Sequence, residues 1–187
     1  MNYHHILPGS LEVYCGPMKS GKTREILYKI DKIKYIENCN FKFIKPKVDT
    51  RDSLIKSRFS EISQSCEIVD ETNPIEILKY VNSDLDLLII DEIQFFSHEI
   101  VETIETILKK GIHVIVAGLD TDFSGVGFGQ VPQLMTLATK VHKLTGICEY
   151  SGCNNSSIRT QRLINGKPAK KSDPVSYTHL TLPTKRI

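Results

Sequence analysis

Two textures alternate along the chain: short apolar runs, and stretches in which apolar residues recur with helical spacing. Leu11-Glu12-Val13-Tyr14-Cys15 is a strand-like run. From Lys22 to about Ile36, Ile26, Leu27, Ile30, Ile33 and Ile36 return every three or four positions, which predicts an amphipathic helix. Phe41-Lys42-Phe43-Ile44 predicts a second strand and Cys66-Glu67-Ile68-Val69 a third. The intervening Asp49 to Ser65 is polar, mixed in charge and aperiodic, which predicts a long, mobile loop. Asn73 and Pro74 open a short helix over Ile75 to Val81. Leu85 to Ile90 is nearly continuous and apolar, as is Ile112 to Ala117; both suit strands buried on two faces. Between them Ile100, Ile104, Ile107 and Leu108 mark a helix that Gly111 ends.

Strands alternating with helices predict an α/β fold: a mostly parallel sheet flanked by helices. After a glycine-rich loop, Gly118 to Gln130, and a short helix, Pro132 to Thr139, the texture changes. His142 to Cys148 and Ser157 to Ile164 predict two strands flanking the turn that holds Cys148 and Cys153, a small β-rich appendage. The expected organisation is an α/β domain over residues 1–144, an appendage over 145–175 and a distinct ending over 176–187.

Composition narrows the class. The 187 residues suit one core domain with a small addition. With 40% hydrophobic and 25% charged residues, disorder and fibrous folds are disfavoured. A net charge of +2 does not suit a general nucleic-acid coat. No apolar run approaches the roughly 20 residues that span a bilayer. Met1 to Pro8 has no basic region followed by an apolar stretch, so a cytoplasmic protein is expected. The five scattered cysteines do not suggest a disulfide framework.

Gly16-Pro17-Met18-Lys19-Ser20-Gly21-Lys22-Thr23 fits the phosphate-binding pattern G-x-x-x-x-G-K-[ST], between a strand and a helix where that pattern has meaning. Gly16 and Gly21 allow successive backbone N–H groups to face a phosphate. Lys22 can reach the β- and γ-phosphates of ATP, and the Thr23 hydroxyl can bind Mg²⁺. The buried run Leu87 to Ile90 ends in Asp91-Glu92. The first acid at such a place holds Mg²⁺, directly or through water. Glu92 can activate a water, as in an ATPase, or an acceptor hydroxyl, as in a kinase. The P-loop does not choose between them.

Further segments, in order, resemble the cytosolic thymidine kinases of the P-loop class. They are Gly16-Pro17-Met18, Lys45 to Arg51 (KPKVDTR), Asp91 to Phe96 (DEIQFF), Ala117 to Phe123 (AGLDTDF), Phe128 to Pro132 (FGQVP) and Cys148 to Leu163, ending in TQRL. The resemblance runs from about Leu11 to Val175. It implies a RecA-like fold with a zinc-bearing lasso. The implied reaction moves the γ-phosphate of ATP to the 5′-hydroxyl of thymidine, giving dTMP. By the resemblance, Glu92 matches the general base, and Asp49 and Arg51 match an acid and a base near the phosphates. Gly16, Pro17, Met18, Lys19, Ser20, Gly21, Lys22, Thr23, Asp91 and Gln94 match nucleotide-site positions, with Thr23 and Asp91 also at the magnesium. Phe95, Leu119, Phe123, Phe128 and Thr160 match positions around the thymidine; the phenylalanines at 123 and 128 equally suit an ordinary core. The family also implies a homotetramer, dTTP as feedback inhibitor, and no nucleic-acid or membrane partner.

The resemblance implies a structural zinc held by two cysteine pairs. Cys148 and Cys153, spaced C-x4-C, fit the first pair; no cysteine follows Cys153, and His179 matches no ligand position. The two thiols are either half of a site or an unrelated pair. Cys15, Cys39 and Cys66 suit buried, small apolar positions. After Asp173-Pro174-Val175 the family would supply a glycine pair, a tyrosine and the second cysteine pair. Ser176 to Ile187 supplies none of these, and Tyr177 does not follow a glycine pair. Such an ending is what a read-through or frameshift would leave, and activity and zinc affinity are expected to suffer from it. Two other readings stand beside the kinase. A RecA-like ATPase or helicase-type motor fits the superficial DExx look of Asp91 to Gln94. A non-catalytic nucleotide-binding module would fit the altered end.

Overall fold

The computed structural model describes residues 9–35, 39–49, 54–56, 63–150, 152–153, 155–164 and 167–168. In chain order, β1 (Leu11–Cys15) leads through the P-loop into α1 (Lys22–Ile33), then β2 (Phe41–Pro46), the hairpin β3 (Leu54–Lys56) and β4 (Ser63–Ser65), and β5 (Glu67–Val69). A 3-10 helix at Pro74–Tyr80 precedes β6 (Leu87–Ile90), and another at Ile93–Phe95 follows it. Then come α2 (Ile100–Lys109), β7 (His113–Gly118), α3 (Val131–Leu137) and β8 (Lys140–Lys143). Four two-residue strands close the described part: β9 (Gly146–Ile147), β10 (Ser156–Ser157), β11 (Leu163–Ile164) and β12 (Lys167–Pro168).

Six strands form one sheet in the order β5-β2-β6-β7-β1-β8, and every pairing in it is parallel. The fold is therefore the expected α/β class. Side chains alternate across a strand, so each face takes every second residue. Leu88, Ile90, Val114 and Val116 meet Ile100, Ile104 and Ile107 of α2 and Leu134 of α3. Leu87, Ile89, Ile115 and Ala117 meet Ile26, Leu27 and Ile30 of α1. Each such isoleucine or leucine contributes about 1.5–3 kcal/mol by leaving water. The parallel arrangement brings the carboxyl ends of β1, β2, β6 and β7 to one edge, where open α/β sheets bind their ligands.

Four expectations change. The stretch from Asp49 to Ser65 is not simply a loop, because Leu54–Lys56 and Ser63–Ser65 pair antiparallel. Strands of three residues are too short to show a side-chain period. His142 to Cys148 is not one strand of the appendage. Lys140–Lys143 joins the main sheet beside β1, that strand ends before Leu144, and Gly146–Ile147 pairs with Ser156–Ser157. Similarly, only the ends of Ser157 to Ile164 are strand. Cys15 is buried as expected, but Cys39 and Cys66 are half-buried.

An ionic cluster fastens edge strand β8 and α1 to β1. The Glu12 carboxylate pairs with Lys29 Nζ at 2.5 Å and lies 3.4 Å from His142 Nε2, whose ring stacks on Tyr14 at 4.2 Å. Burial works against ionised Glu12, but the hydrogen bonds and charges of Lys29 and His142 prevail and hold its carboxyl below the usual value of 4.5. A depressed native pKa adds stability above the unfolded-state value and loses it as pH falls through the native one. Glu12→Gln is thus expected to destabilise the fold by about 1 kcal/mol at pH 7. That difference should vanish in urea titrations carried well below pH 4.5. An equal loss at both pH values would mean that packing, not charge, is responsible.

Candidate active site

The phosphate loop takes its shape from two glycines. Gly16 has φ 143° and lies so close to the Leu144 carbonyl that a Cβ would collide with it. Gly21, at φ 88°, caps α1 and turns the helix N-terminus toward the loop. Lys22 Nζ donates to the carbonyls of Pro17 at 2.8 Å and Gly16 at 3.1 Å, and to Ser20 Oγ at 3.5 Å. Desolvation pulls the Lys22 ammonium below its ordinary pKa, opposed by the charges of Glu92, Asp91 and Asp120.

Opposite the loop, β6 ends in the two acids. Asp91 is buried; one carboxylate oxygen accepts the Glu92 N–H at 2.9 Å and the other the Thr23 hydroxyl at 3.3 Å. Burial, then the neighbouring Glu92 charge, push the Asp91 carboxyl up to about 7. Glu92 stands in the left-handed region, φ 53°. Among the described residues, only Lys19, at φ 60°, is another non-glycine with positive φ. Both lie in this site, where strained backbone is commonly retained for function. Gln94 donates from Nε2 to Glu92 at 2.5 Å and accepts the Leu119 N–H at 3.1 Å through Oε1.

At the end of β2, the Asp49 carboxylate accepts a 2.9 Å bond from buried Lys45. Burial opposes charge on Lys45, but the bond to Asp49 and the charges of Asp49 and Asp91 together raise its pKa. At the end of β7, buried Asp120 pairs with Lys143 at 3.0 Å across the end of β1. Beyond it, Asp122 accepts from Ser124 N–H, Ser124 Oγ and Val126 N–H, folding the loop back so that Thr121 bridges Gly127. Phe95 and Phe128 meet edge to face at 5.8 Å. Phe123 lies under the Arg162 guanidinium at 5.6 Å, and Leu119 is buried. None of the three phenylalanines belongs to the buried cores, so the ordinary-core alternative for Phe123 and Phe128 is not the arrangement seen.

The appendage is tied to the phosphate loop. Thr160 is buried and its hydroxyl accepts the Met18 N–H at 2.9 Å, while Lys19 pairs with Glu149 at 2.6 Å. Cys148 and Cys153 sit on one turn, with the Cys148 N–H bound to the Asn155 carbonyl and Asn155 Nδ2 donating to Cys153 Sγ. Among the described residues no three His, Cys, Asp or Glu side chains gather as a metal site. No helix among them is long and apolar enough to cross a membrane.

The structure thus brings Lys22, Thr23, Asp91, Glu92, Gln94 and Leu119 to one strand-end cluster, and sets Asp49 on Lys45 rather than on the phosphate loop. Gln94 is buried, with its amide bonded to Glu92 and to the Leu119 N–H. Thr160 touches the backbone of the loop. Arg51 lies outside the described residues, as do His179, Tyr177 and the whole of 169–187. Sequence reasoning passed over Lys45, Asp120 and Lys143. Asp120 carries a signal close to that of Asp91, an acid two residues past a buried strand, and Lys45 is a lone charge at the buried end of β2.

The family model of thymidine kinase matches residues 9–172. The solved structure of the genome packaging NTPase B204 from Sulfolobus turreted icosahedral virus 2, in complex with ATP-gammaS, superposes with a TM-score of 0.47. It is 16% identical, over 79% of this chain and 78% of that one.

Proposed function

The chain belongs to the thymidine kinase family, and from that premise we propose how its residues transfer the γ-phosphate of ATP to the 5′-hydroxyl of thymidine. The observation that carries the reading is the strand-end cluster. Glu92 interacts electrostatically with the phosphate-loop lysine and stands within one short segment of Phe95, which packs on Phe128. Phosphate and base sites then flank one carboxylate. Backbone N–H groups between Lys19 and Thr23 and the N-terminus of α1 hold the phosphates, and Lys22 bridges toward the β- and γ-oxygens. The base lies against Phe95, Phe128, Phe123 and Leu119, since a planar ring is best enclosed by aromatic and aliphatic walls.

The Thr23 hydroxyl and Asp91 carboxylate are hard oxygen donors 3.3 Å apart, a set that fits Mg²⁺. A cation there would also offset the charge of Glu92 that raises Asp91. Held there, the ion would supply positive charge against the reacting phosphates. Glu92 takes the 5′-hydroxyl proton as the new O–P bond forms and the bond to the ADP oxygen breaks. Asp49 and Lys45 stand near Asp91 as a charged pair whose lysine remains protonated, and Arg51 acts on the transferring phosphoryl group in the same reading.

A cytoplasmic homotetramer inhibited by dTTP belongs to this reading too; light scattering and a dTTP titration test those two parts. For zinc, Cys148 and Cys153 are two thiols where a structural site takes four ligands, so the described residues do not fit it and no role is derived from it.

The decisive experiment is ADP release with Mg²⁺ and ATP, with and without thymidine. Release that depends on thymidine is expected. Release stimulated by single-stranded nucleic acid and indifferent to thymidine would establish a motor instead. Glu92→Gln keeps the size but not the basicity, and is expected to lower kcat about 10²-fold with ATP affinity retained. A near-normal rate would take Glu92 out of the chemistry.

A further inference from the structure

We propose that Gln94 is a positioning residue that fixes the Glu92 carboxylate for proton abstraction; the proposal rests on the reading of Glu92 as the base. Gln94 is 3% exposed, so it stands behind the reacting groups rather than among them. Its two amide ends have different tasks. The backbone N–H of Leu119 needs an acceptor and finds Oε1 at 3.1 Å, which leaves Nε2 to donate to Glu92 at 2.5 Å. The reverse orientation would set a donor against a donor and an acceptor against a carboxylate, so the bonding pattern itself fixes the amide. One side chain thereby links the end of β7 to the acid after β6.

Two glycines from separate segments are shaped around this residue. Gly118 has no left-handed backbone to explain it, yet a Cβ there would stand 2.6 Å from Gln94 Oε1 and 2.7 Å from Ile93. Gly129 approaches from the loop before α3, and a Cβ on it would collide with the Gln94 carbonyl. Gly118 thus leaves room for the Gln94 amide, and Gly129 for the backbone that carries it. Glu92 needs such support because it holds φ 53° on a strained turn, and its free oxygen must meet a hydroxyl within hydrogen-bond reach. A carboxylate held by one oxygen retains one rotamer and keeps the other oxygen for the substrate.

The consequence is a loss that runs through Glu92 alone. Gln94→Met conserves length and removes both amide bonds. It should lower kcat by about 10- to 10²-fold, the scale of an ångström of misplacement, with KM for ATP and thymidine changed less than about 3-fold. In a Glu92→Gln background the same substitution should cost less than about 2-fold, because residues acting as a unit are not additive. Gly118→Ala, which presses on Oε1, should behave alike and serves if Gln94→Met does not fold. Four kinetic measurements, on the parent, each single variant and the double variant, separate the outcomes. If Glu92→Gln alone is near normal, the base reading fails and this inference with it. If Glu92→Gln is slow but Gln94→Met is near normal, the inference alone fails. It also fails if Gln94→Met costs the same factor in both backgrounds, or raises KM with kcat unchanged, since either marks a packing role.

Discussion

Replacing Lys22 with alanine is expected to lower the thymidine-dependent rate about 10³-fold, while the fold survives. The ammonium stands above the phosphate loop on the carbonyls of Gly16 and Pro17 and on Ser20 Oγ. These neutral partners hold it in place without neutralising it. A phosphate oxygen is a stronger acceptor than a carbonyl, so the same ammonium can swing to the β- and γ-phosphates when ATP enters. As charge redistributes over the transferring group, a cation already in place reorganises nothing, and that is why the rate rather than the fold depends on it. Desolvation already disfavours the charged form of Lys22, so its removal relieves as much as it takes away, and thermal stability should change little. Lys22→Arg should not restore the rate, because a planar guanidinium is wider than the ammonium it replaces. Single-turnover kinetics at saturating ATP provide the measurement. A rate within about 10-fold of the parent would place the phosphates elsewhere.

The expected P-loop, the acids after β6 and the alternation of buried runs were legible because each is local. A glycine spacing, a strand-end carboxylate and a period of two or 3.6 all lie within a dozen residues. The helix beginning at Lys22 and the strand at Leu11–Cys15 fall where their patterns put them. What escaped is non-local. Nothing near Lys140 says that a strand with two lysines and a histidine pairs with β1, since an edge strand need bury little and so shows no apolar run. Nothing near Thr160 says that its hydroxyl caps Met18, 142 residues away. The resemblance sets Gln94 at the nucleotide site, and nothing beside it in the sequence points to its bonds with Glu92 and Leu119. Its task becomes visible only when Gly118 and Gly129 close around it.

Those long-range contacts tie the appendage to the chemistry. Thr160 and Glu149 hold the Met18 N–H and the Lys19 ammonium of the phosphate loop, and the Leu144 N–H bonds to the Cys15 carbonyl where that loop begins, at 2.7 Å. A shift of residues 144–160 must therefore move the loop that holds the phosphates.

Asp91→Asn should separate stability from activity. The native carboxyl sits at about 7 against an ordinary 3.8, raised by burial and then by Glu92. Between those values the folded protein keeps a proton that the unfolded chain releases, so native stability falls as pH rises across that window. Above it the folded state carries the full penalty of a buried anion beside another. Asparagine fills the same space, cannot ionise, and can still accept from Thr23 and the Glu92 N–H through its one oxygen, though not from both at full strength. In metal-free buffer at pH 8 the variant should melt about 5 °C above the parent, with the gain fading toward pH 4. Turnover should move the other way. Losing one anionic oxygen donor to the magnesium removes about 4 kcal/mol of transition-state stabilisation, close to 10³-fold in kcat. Melting curves from pH 4 to 8, paired with thymidine-dependent ADP release, measure both. A variant that is slower but no more stable at pH 8 would mean that the lost hydrogen bonds outweigh the relieved charge. A variant that keeps its rate would remove Asp91 from the magnesium site. The burial and the Glu92 charge that disfavour an ionised Asp91 in the protein alone would be offset by a divalent cation held on Asp91 and Thr23.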